Sequence, residues 1–439
     1  MGKNGSTEVA PKARTAYINA NVLDGTENME VLENHAVVTC GQDIVAVSPM
    51  GEADLAGCEK IDLNGAYLMP GLINMHVHLA GNGKPQKKQR DNAALVKKIM
   101  AIGLTRKIAY SMVAEYARIE LNSGVTTIRT VGGLGDMDTR VRNDIFAGKL
   151  EGPRILAANE GISVPGGHMA GSVAIAASSI PEALLQVDIA KSQGVDLIKL
   201  MITGGVLDAK EKGVPGELKM SPEMVQAVCE KAHKLGFIVS AHTESPEGVR
   251  VALQGGVDSI EHGAKPDDEI IELFKQHQAF LCTTISPALP YALFDRSVSN
   301  ASEVEQYNGN VVFEGILANA KAALAAGIPV ALGNDVGCPW ITQYDFWREL
   351  VYFREYVGVS NRFALHTATL RNAELAGIGA HTGSIEAGKS ADMIVTEANP
   401  LDDLRALRNV KHVVARGKFI EHPHVKRKAE VDRELDKFI

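Results

Sequence analysis

The sequence has little cysteine, and the cysteines that it has are scattered. There are five in 439 residues, at Cys40, Cys58, Cys229, Cys282 and Cys338. The number is odd and no two of them have CxxC spacing, so neither a disulfide framework nor a cysteine-based zinc site is expected. Such usage is typical of a reducing compartment, and we predict a cytoplasmic protein.

Long apolar runs and an excess of basic charge are also missing. No apolar run reaches the length needed to span a bilayer, and the segment Met1–Arg14 lacks the apolar core of a signal peptide. The formal net charge of -8 argues against nucleic acid as the main partner. The 45% hydrophobic content is that of an ordinary globular protein. We therefore expect no membrane partner and no nucleic-acid partner.

From residue 68 onward, short apolar segments alternate with amphipathic ones, which indicates βα units and a parallel sheet. The candidate strands number eight, and they are Leu72–Leu79, Val125–Val131, Arg154–Asn159, Leu197–Thr203, Ile238–His242, Ser259–His262, Phe280–Ile285 and Pro329–Asn334. Helical patterns between them include Asn92–Ser123, Ser179–Gln193, Ser221–Leu235 and Asn308–Ala326. Eight parallel strands with intervening helices predict an α/β protein with a (β/α)8 TIM barrel.

The two ends of the chain have a different pattern. Short β segments separated by turns occupy residues 14–67, and strand-and-turn character returns at residues 380–425. We predict one small β-sandwich domain built from both chain ends, with the barrel over residues 68–379. Residues 426–439 form a charged tail, for which the pattern predicts a helix with a solvated face, or alternatively an oligomer contact.

The end of the first barrel strand carries a His-x-His motif. Residues i and i+2 of a strand point to the same face, so His76 and His78 present two imidazoles side by side. Two adjacent imidazoles are suited to binding one metal ion. Taken alone, however, such a pair is more often a hydrogen-bonded feature of a strand terminus.

Later strands add polar residues at the same rim, because the carboxyl ends of barrel strands meet at one face. These residues are Lys199 in strand four, His242 in strand five, His262 in strand six and Asp335 after strand eight. Each has a structural explanation of its own. Their convergence on one rim indicates a metal site.

Lys199 is the unusual member of this set. The apolar strand around it has no structural need for a lysine. An ammonium group with a reference pKa of ~10.4 would repel a metal cation. The side chain must therefore be neutralised by burial, paired with an acid or covalently modified.

With these residues, the sequence resembles the metal-dependent amidohydrolase superfamily over essentially its whole length. The resemblance rests on residues 70–78, on the later rim residues and on a C-terminal β signature at residues 383–395. In that superfamily the strand-four lysine is carboxylated and bridges two divalent ions. The resemblance implies one ion on His76, His78 and Asp335, a second on His242 and His262, and carboxylated Lys199 as the bridge. Zinc suits these ligands, with manganese, cobalt and nickel as alternatives.

The implied chemistry is hydrolysis by a metal-bridging hydroxide, since two metal ions can activate water and polarise a carbonyl. Asp335 is placed to take the proton and pass it to the leaving nitrogen. His168, in the glycine-rich loop after strand three, is a candidate donor to the scissile carbonyl or the oxyanion. Its structural alternative is a loop histidine with a local partner. Tyr291 and Arg296 are equally candidates for binding a substrate carboxylate and for ordinary surface positions.

The motifs Pro-Gly-Gly-His after strand three and Lys-Leu-Met-Ile-Thr-Gly-Gly around strand four are similar to those of the prolidase-like branch. That branch includes Xaa-Pro dipeptidases and carboxypeptidases. It implies a peptide-type amide substrate, either a dipeptide or an N-acyl amino acid, and a homo-oligomer as the default assembly. Many relatives carry Arg-Asp where this chain has Arg129-Thr130, a departure that we expect to alter hydrogen bonding at the rim.

Three other functions are compatible with parts of this pattern. A cyclic-amide hydrolase of the hydantoinase or dihydroorotase type shares the binuclear site and differs in its pocket. A mononuclear deaminase is less favoured, because it lacks the lysine and has glutamate three positions after the strand-five histidine. This chain has Ser245 there, with Glu244 one residue early. A metal-free scaffold would have lost ligands, and none is lost here.

Overall fold

The computed structural model describes residues 13–86 and 91–439. Its strands are β1 (Arg14–Val22), β2 (Leu32–Cys40), β3 (Asp43–Pro49), β4 (Cys58–Asp62), β5 (Tyr67–Pro70), β6 (Leu72–Val77), β7 (Val125–Thr130), β8 (Arg154–Ala157), β9 (Gly161–Ser163), β10 (Ala174–Ala176), β11 (Leu197–Met201), β12 (Ile238–Thr243), β13 (Ser259–His262), β14 (Phe280–Thr283), β15 (Val330–Leu332), β16 (Met393–Thr396), β17 (His412–Ala415) and β18 (Lys418–Ile420).

Its α-helices are α1 (Asn92–Ala101), α2 (Gly103–Asn122), α3 (Met137–Phe146), α4 (Ile180–Ser192), α5 (Pro222–Lys234), α6 (Pro246–Gln254), α7 (Asp268–His277), α8 (Leu289–Leu293), α9 (Arg296–Ser299), α10 (Glu303–Ala325), α11 (Phe346–Tyr352), α12 (Asn361–His366), α13 (Asn372–Leu375) and α14 (Ala429–Leu435). Within the described ranges, none of these helices is long and apolar enough to cross a lipid bilayer.

The parallel strands form two sheets. One has the order β6-β7-β8, and the other has the order β10-β9-β11-β12-β13-β14-β15. Each of the eight predicted parallel strands is present and begins within one residue of its predicted start. The mixed α/β class with parallel strands is therefore confirmed.

The two parallel sheets touch at both ends. Val77 at the end of β6 forms a parallel bridge with Val336 just after β15. On the other side, the Asp196 amide before β11 donates to the Ala157 carbonyl in β8 at 2.8 Å. The carboxyl ends of β6 and β15 are thereby held next to each other, which is where His76, His78 and Asp335 lie.

Strands from both ends of the chain share one further sheet. Its order is β18-β17-β16-β5-β1-β2-β3, with β4 also paired to β1. The antiparallel pair of β5 and β16 aligns Leu68 with Val395, and both side chains are buried. Since only Gly71 separates β5 from β6, this sheet anchors the start of the strand that carries the His-x-His motif. The sandwich and its boundaries stay predictions.

Local sequence explains where several helices begin and break. Ser221 caps α5 by accepting from the Met224 amide at 3.3 Å, and proline occupies the first turn. The predicted helix over residues 92–123 is two helices, because Ile102 has extended backbone angles of φ -113° and ψ 130°. The strands β9 and β10, of three residues each, were not predicted, since such short segments carry no periodic pattern.

The C-terminal tail is packed against the body of the protein. In α14, Val431 is fully buried and Leu435 is 2% exposed. Arg348 donates to Asp432 at 3.2 Å and pairs with Asp436 at 2.7 Å. The predicted helix is present, with Glu430 and Arg433 exposed on one face, while its other face is held against the body of the protein by a buried arginine.

Candidate metal centre

All six predicted ligands line one pocket at the carboxyl ends of the parallel strands. The imidazole ring of His76 lies 5.3 Å from that of His78 and 4.8 Å from that of His262, between centroids. The rings of His242 and His262 are 4.7 Å apart. Asp335 Oδ1 lies 3.5 Å from His76 Nε2 and 3.3 Å from His78 Nε2.

The backbone at this rim is held in unusual conformations. His262 and Asp335 have φ values of +65° and +54°, in the left-handed region that side chains rarely adopt. Gly333 lies so close to the strand of the His-x-His motif that a Cβ atom added to it would be 2.5 Å from the backbone nitrogen of His76. Such strain and close approach are typical of functional sites, where they fix the direction of side chains.

Hydrogen bonds on one side of three imidazoles leave the other nitrogen available, whereas His242 Nε2 lies 3.2 Å from the Gly204 carbonyl. His76 Nδ1 donates to Glu261 at 2.7 Å, and His78 Nδ1 donates to the Gly132 carbonyl at 2.9 Å. His262 Nδ1 lies 2.7 Å from the Thr284 hydroxyl. Partners of this kind orient histidine ligands in metal sites, so that Nε2 faces the ion.

Lys199 is buried without a hydrogen-bond partner for its Nζ atom within the described structure, and the side chain is 1% exposed. Burial lowers the pKa of Lys199 to about 8, although Glu261 acts in the opposite direction. Asp335 Oδ1 also lacks a hydrogen-bond partner among the described residues. Buried polar atoms without partners are costly. A cation would satisfy the Asp335 carboxylate directly, and it would satisfy Lys199 if the amine were carboxylated. The residues present therefore fit a metal ion.

Three of the histidines and Asp335 are in the protonation states that metal ligands need. Burial lowers the pKa of His76 to about 4 and holds the pKa values of His242 and His262 well below the usual range. Burial opposes ionisation of Asp335, but His76 and His78 outweigh it and lower the pKa of Asp335. Neutral imidazoles and an ionised carboxylate favour binding of a divalent cation, and oxygen and nitrogen atoms of His76, His262 and Asp335 lie within 4.8 Å of one another.

A buried ion pair lies beneath the ligands. Arg129 donates to Glu261 at 2.6 Å and to the Met75 carbonyl at 2.7 Å. Both side chains are at most 1% exposed. Arg129 thus supports Glu261 and through it His76. Glu261 was not identified from the sequence, although it is a charged residue inside an apolar strand, the same signal that identified Lys199.

His168 lies over the cluster. Its ring stacks on that of His242 with centroids 4.0 Å apart and planes within 4°. Its Nδ1 donates to Asp208 at 2.6 Å, and Asp208 also accepts from the Gly205 amide at 2.9 Å. Asp208 is thus the local partner expected for a structural loop histidine. It nevertheless orients the His168 ring within the pocket, so the two interpretations of His168 are compatible. Asp208 was not identified from the sequence because its loop carries no motif.

The pocket that contains the ligands has a volume of about 690 Å³, part of which is open solvent, and its other walls are mostly apolar. Tyr291 lines it, whereas Arg296 is exposed, does not line it and donates to the Ala301 carbonyl at 3.1 Å. Glu244 faces the same space and accepts from the Val206 amide at 2.9 Å. Burial raises the pKa of Glu244 to about 8, with a further contribution from Asp335.

Histidines, a lysine and an aspartate at the carboxyl ends of parallel strands define a metal-dependent hydrolase. The comparison with known families agrees with this class. Residues 67–420 match the amidohydrolase family, and the chain belongs to it. The resemblance to its prolidase-like branch is confirmed by the relatives below.

Among solved structures, a candidate prolidase from Bifidobacterium longum is 37% identical, with a TM-score of 0.85 over 97% of this chain and 99% of that one. A Xaa-Pro dipeptidase with bound methionine in its active site is 28% identical, with a TM-score of 0.80 over 93% and 100%. Ochratoxinase of Aspergillus niger is 26% identical over 94% of this chain and 88% of its own. Imidazolonepropionase of Erwinia tasmaniensis is 25% identical over 83% and 87%.

Proposed function

We propose that this protein hydrolyses a peptide-type amide, in a dipeptide or an N-acyl amino acid, with two divalent metal ions. Similarity to a Xaa-Pro dipeptidase supports the substrate class. The observation that carries the proposal is the buried, unpartnered amine of Lys199 among four histidines and Asp335. A structural lysine would be paired, whereas one that becomes carboxylated needs such a position.

The proposed ligands are His76, His78 and Asp335 for one ion and His242 and His262 for the other, bridged by carboxylated Lys199. Zinc is the proposed metal, because imidazole and carboxylate donors suit it. When bound, the ions would lower the pKa of water towards neutrality and polarise the substrate carbonyl.

The chain's own residues supply the remaining functions. Asp335 takes a proton at Oδ1, the atom without a hydrogen-bond partner, and delivers it to the leaving nitrogen. His168, oriented by Asp208, donates a hydrogen bond from Nε2 to the carbonyl oxygen as negative charge develops there. The apolar walls of the pocket exclude water from the side chains of the substrate.

We further propose that β6–β8 and β11–β15 close into a (β/α)8 barrel over residues 68–379, beside a β-sandwich of residues 14–67 and 380–425. The bridge between Val77 and Val336 and the bond from Asp196 to Ala157 support closure. A cytoplasmic location and a homo-oligomer complete the proposal. Size-exclusion chromatography with light scattering tests the assembly.

Metal analysis together with a substrate panel tests the function. The purified protein should contain about two ions per chain and should hydrolyse members of a panel of dipeptides and N-acyl amino acids. Turnover of ring amides alone would overturn the peptide-type assignment in favour of a cyclic-amide hydrolase. A single ion per chain with an unmodified Lys199 would overturn the bridged centre.

Substitution of Lys199 tests the bridging role of this residue directly. Lys199→Ala should remove activity and lower the metal content, and short-chain carboxylates should restore part of both by standing in for the carbamate. Lys210→Ala is the matched control, since Lys210 is exposed and lies outside the pocket lining. Full activity of Lys199→Ala without added carboxylate would contradict the proposed bridge.

A further inference from the structure

Glu244 is a pocket carboxylate for which the proposed chemistry has no use. It follows β12, two residues beyond His242, and its side chain lines the pocket together with the ligands. One carboxylate oxygen is fixed by the Val206 amide at 2.9 Å. Among the described residues, no lysine or arginine forms an ion pair with it, whereas Arg129 neutralises the buried Glu261. A carboxylate held in this way towards an open pocket is a site for a ligand cation.

The position of Glu244 relative to His168 shows which part of a substrate would reach it. Both side chains pack against Gly205, where an added Cβ would lie 3.1 Å from His168 Cε1 and 3.4 Å from Glu244 Oε2. The carboxylate therefore lies beside the imidazole that donates to the scissile carbonyl. In a peptide, the α-amino group is two bonds from that carbonyl carbon, so it would extend to the same place.

No other group of the described pocket lining is placed to bind a cationic group of the substrate. His168 is paired with Asp208, and Asp335 belongs to the metal cradle. The nearby walls of Val206, Leu207 and Met169 are apolar. Within the described lining of the pocket, Glu244 is thus the one carboxylate outside the cradle.

We propose that Glu244 is a specificity determinant that binds the α-ammonium group of the substrate, so that the enzyme prefers dipeptides with a free amino terminus to N-acyl amino acids. The inference rests on the proposed amide hydrolysis and narrows its substrate class. An α-amino group has a pKa of ~8 and is cationic at pH 7. An ammonium group beside Glu244 favours the ionised form of its carboxyl group against the effect of burial. The resulting charge-assisted hydrogen bond should favour the amine by about ten- to hundredfold.

Two substrates that differ only in the amino group provide the test. The metal-loaded protein is assayed with alanyl-proline and with propionyl-proline. The wild type should show kcat/KM about ten- to hundredfold higher for the alanyl compound. Glu244→Gln keeps an oxygen acceptor for Val206 and should remove that preference by raising KM for the alanyl compound alone. Glu247→Gln, an exposed residue of α6 outside this pocket, removes the same charge and should retain the preference.

The outcomes separate this inference from the proposed function. Equal wild-type turnover of both compounds, or an equal loss of kcat on both in Glu244→Gln, would overturn the specificity role and leave amide hydrolysis standing. Turnover of neither compound would count against the proposed function. In that case calorimetric binding of alaninamide and propionamide decides the role of Glu244. If the wild type binds alaninamide more tightly than propionamide and Glu244→Gln loses this difference, the specificity role of Glu244 is supported. If the wild type binds both compounds equally, that role is overturned.

Discussion

Glu261 concentrates three interactions on one buried carboxylate. It accepts from Arg129 at 2.6 Å and from His76 at 2.7 Å, and the Ser259 hydroxyl is a third donor. In Glu261→Gln the guanidinium of Arg129 would keep its charge without an anion. Removing one partner of a buried pair costs about 3–5 kcal/mol, so the free energy of unfolding of the metal-free protein should fall by that amount. Denaturant unfolding measures it.

Glu269→Gln is the control for this change. Glu269 pairs with Arg250 at 2.7 Å, but its side chain is 59% exposed, so the loss should be about 0–1 kcal/mol. The affinity of Glu261→Gln for metal should also fall, by about 10–100-fold, because His76 loses its orienting partner. Equal stabilities of the two variants would contradict the assigned role of Glu261.

His168 and Asp208 form a second residue-scale unit. If His168 donates to the developing oxyanion, His168→Ala should lower kcat by about 10²–10³-fold with little change in KM. Asp208→Asn should have a smaller effect of the same kind, because it weakens the 2.6 Å bond that orients the ring. Steady-state kinetics on the preferred substrate separates the two parameters. A rise in KM without a fall in kcat would assign His168 to substrate binding instead.

The sequence was sufficient to identify residues whose type conflicts with their surroundings. Histidines at strand ends and a lysine inside an apolar strand can be recognised from the sequence alone. The structure brings the four histidines, Lys199 and Asp335 into one pocket. Glu244 and Asp208 were not assigned roles because they lie in loops, where the direction of a side chain depends on backbone angles that no local pattern specifies. Their partners, Val206 and His168, are 38 and 40 residues away.

At the scale of elements, the C-terminal helix supports one wall of the pocket. Phe438, just after α14, stacks on Phe294 with centroids 5.5 Å apart, and Phe294 meets Trp340 at 5.1 Å. The loop of Trp340 also contributes Cys338 and Pro339 to the pocket. The charged tail thus ends on the scaffold of the site.

Phe438→Ala should therefore affect both stability and substrate binding. The side chain is half-buried, so we expect a loss of about 1–2 kcal/mol, below the 3–5 kcal/mol of a fully buried phenylalanine. KM should rise because the wall formed by the Trp340 loop loses its support. Phe146→Ala, at a position that is 89% exposed, is the control and should change neither quantity. Thermal unfolding and initial-rate kinetics measure both effects, and an unchanged KM would separate the tail from the pocket.

Periodicity located the strands well, but it did not show that one face of the tail helix packs against the protein. Buried parallel strands are continuous apolar runs, so β6 and β13 could be located to within two residues. The tail has mostly charged residues, and whether such residues face water depends on distant partners. Asp432 and Asp436 are neutralised by Arg348, 84 and 88 positions earlier in the chain, a contact that composition cannot reveal.

For the whole molecule, the metal centre joins strands from both parallel sheets. His76 comes from the sheet of β6, whereas Lys199, His242 and His262 come from the sheet of β11–β15. Ions shared between the sheets would act as cross-links, and their loss would leave unpartnered polar atoms such as Lys199 Nζ buried. The centre should therefore contribute to global stability as well as to catalysis.

Removal of the metal should accordingly lower the apparent Tm. A ligand that binds only the folded state stabilises it by about 4 kcal/mol when its free concentration is about 1,000 times Kd. Protein treated with a chelator should unfold several degrees lower than the loaded protein in a thermal scan, and added zinc should restore the difference. Lys199→Ala should show a smaller shift on chelation, since it lacks the bridge between the sheets. If the wild type unfolded at the same temperature with and without metal, the centre would not join the sheets, and its role would be confined to the reaction.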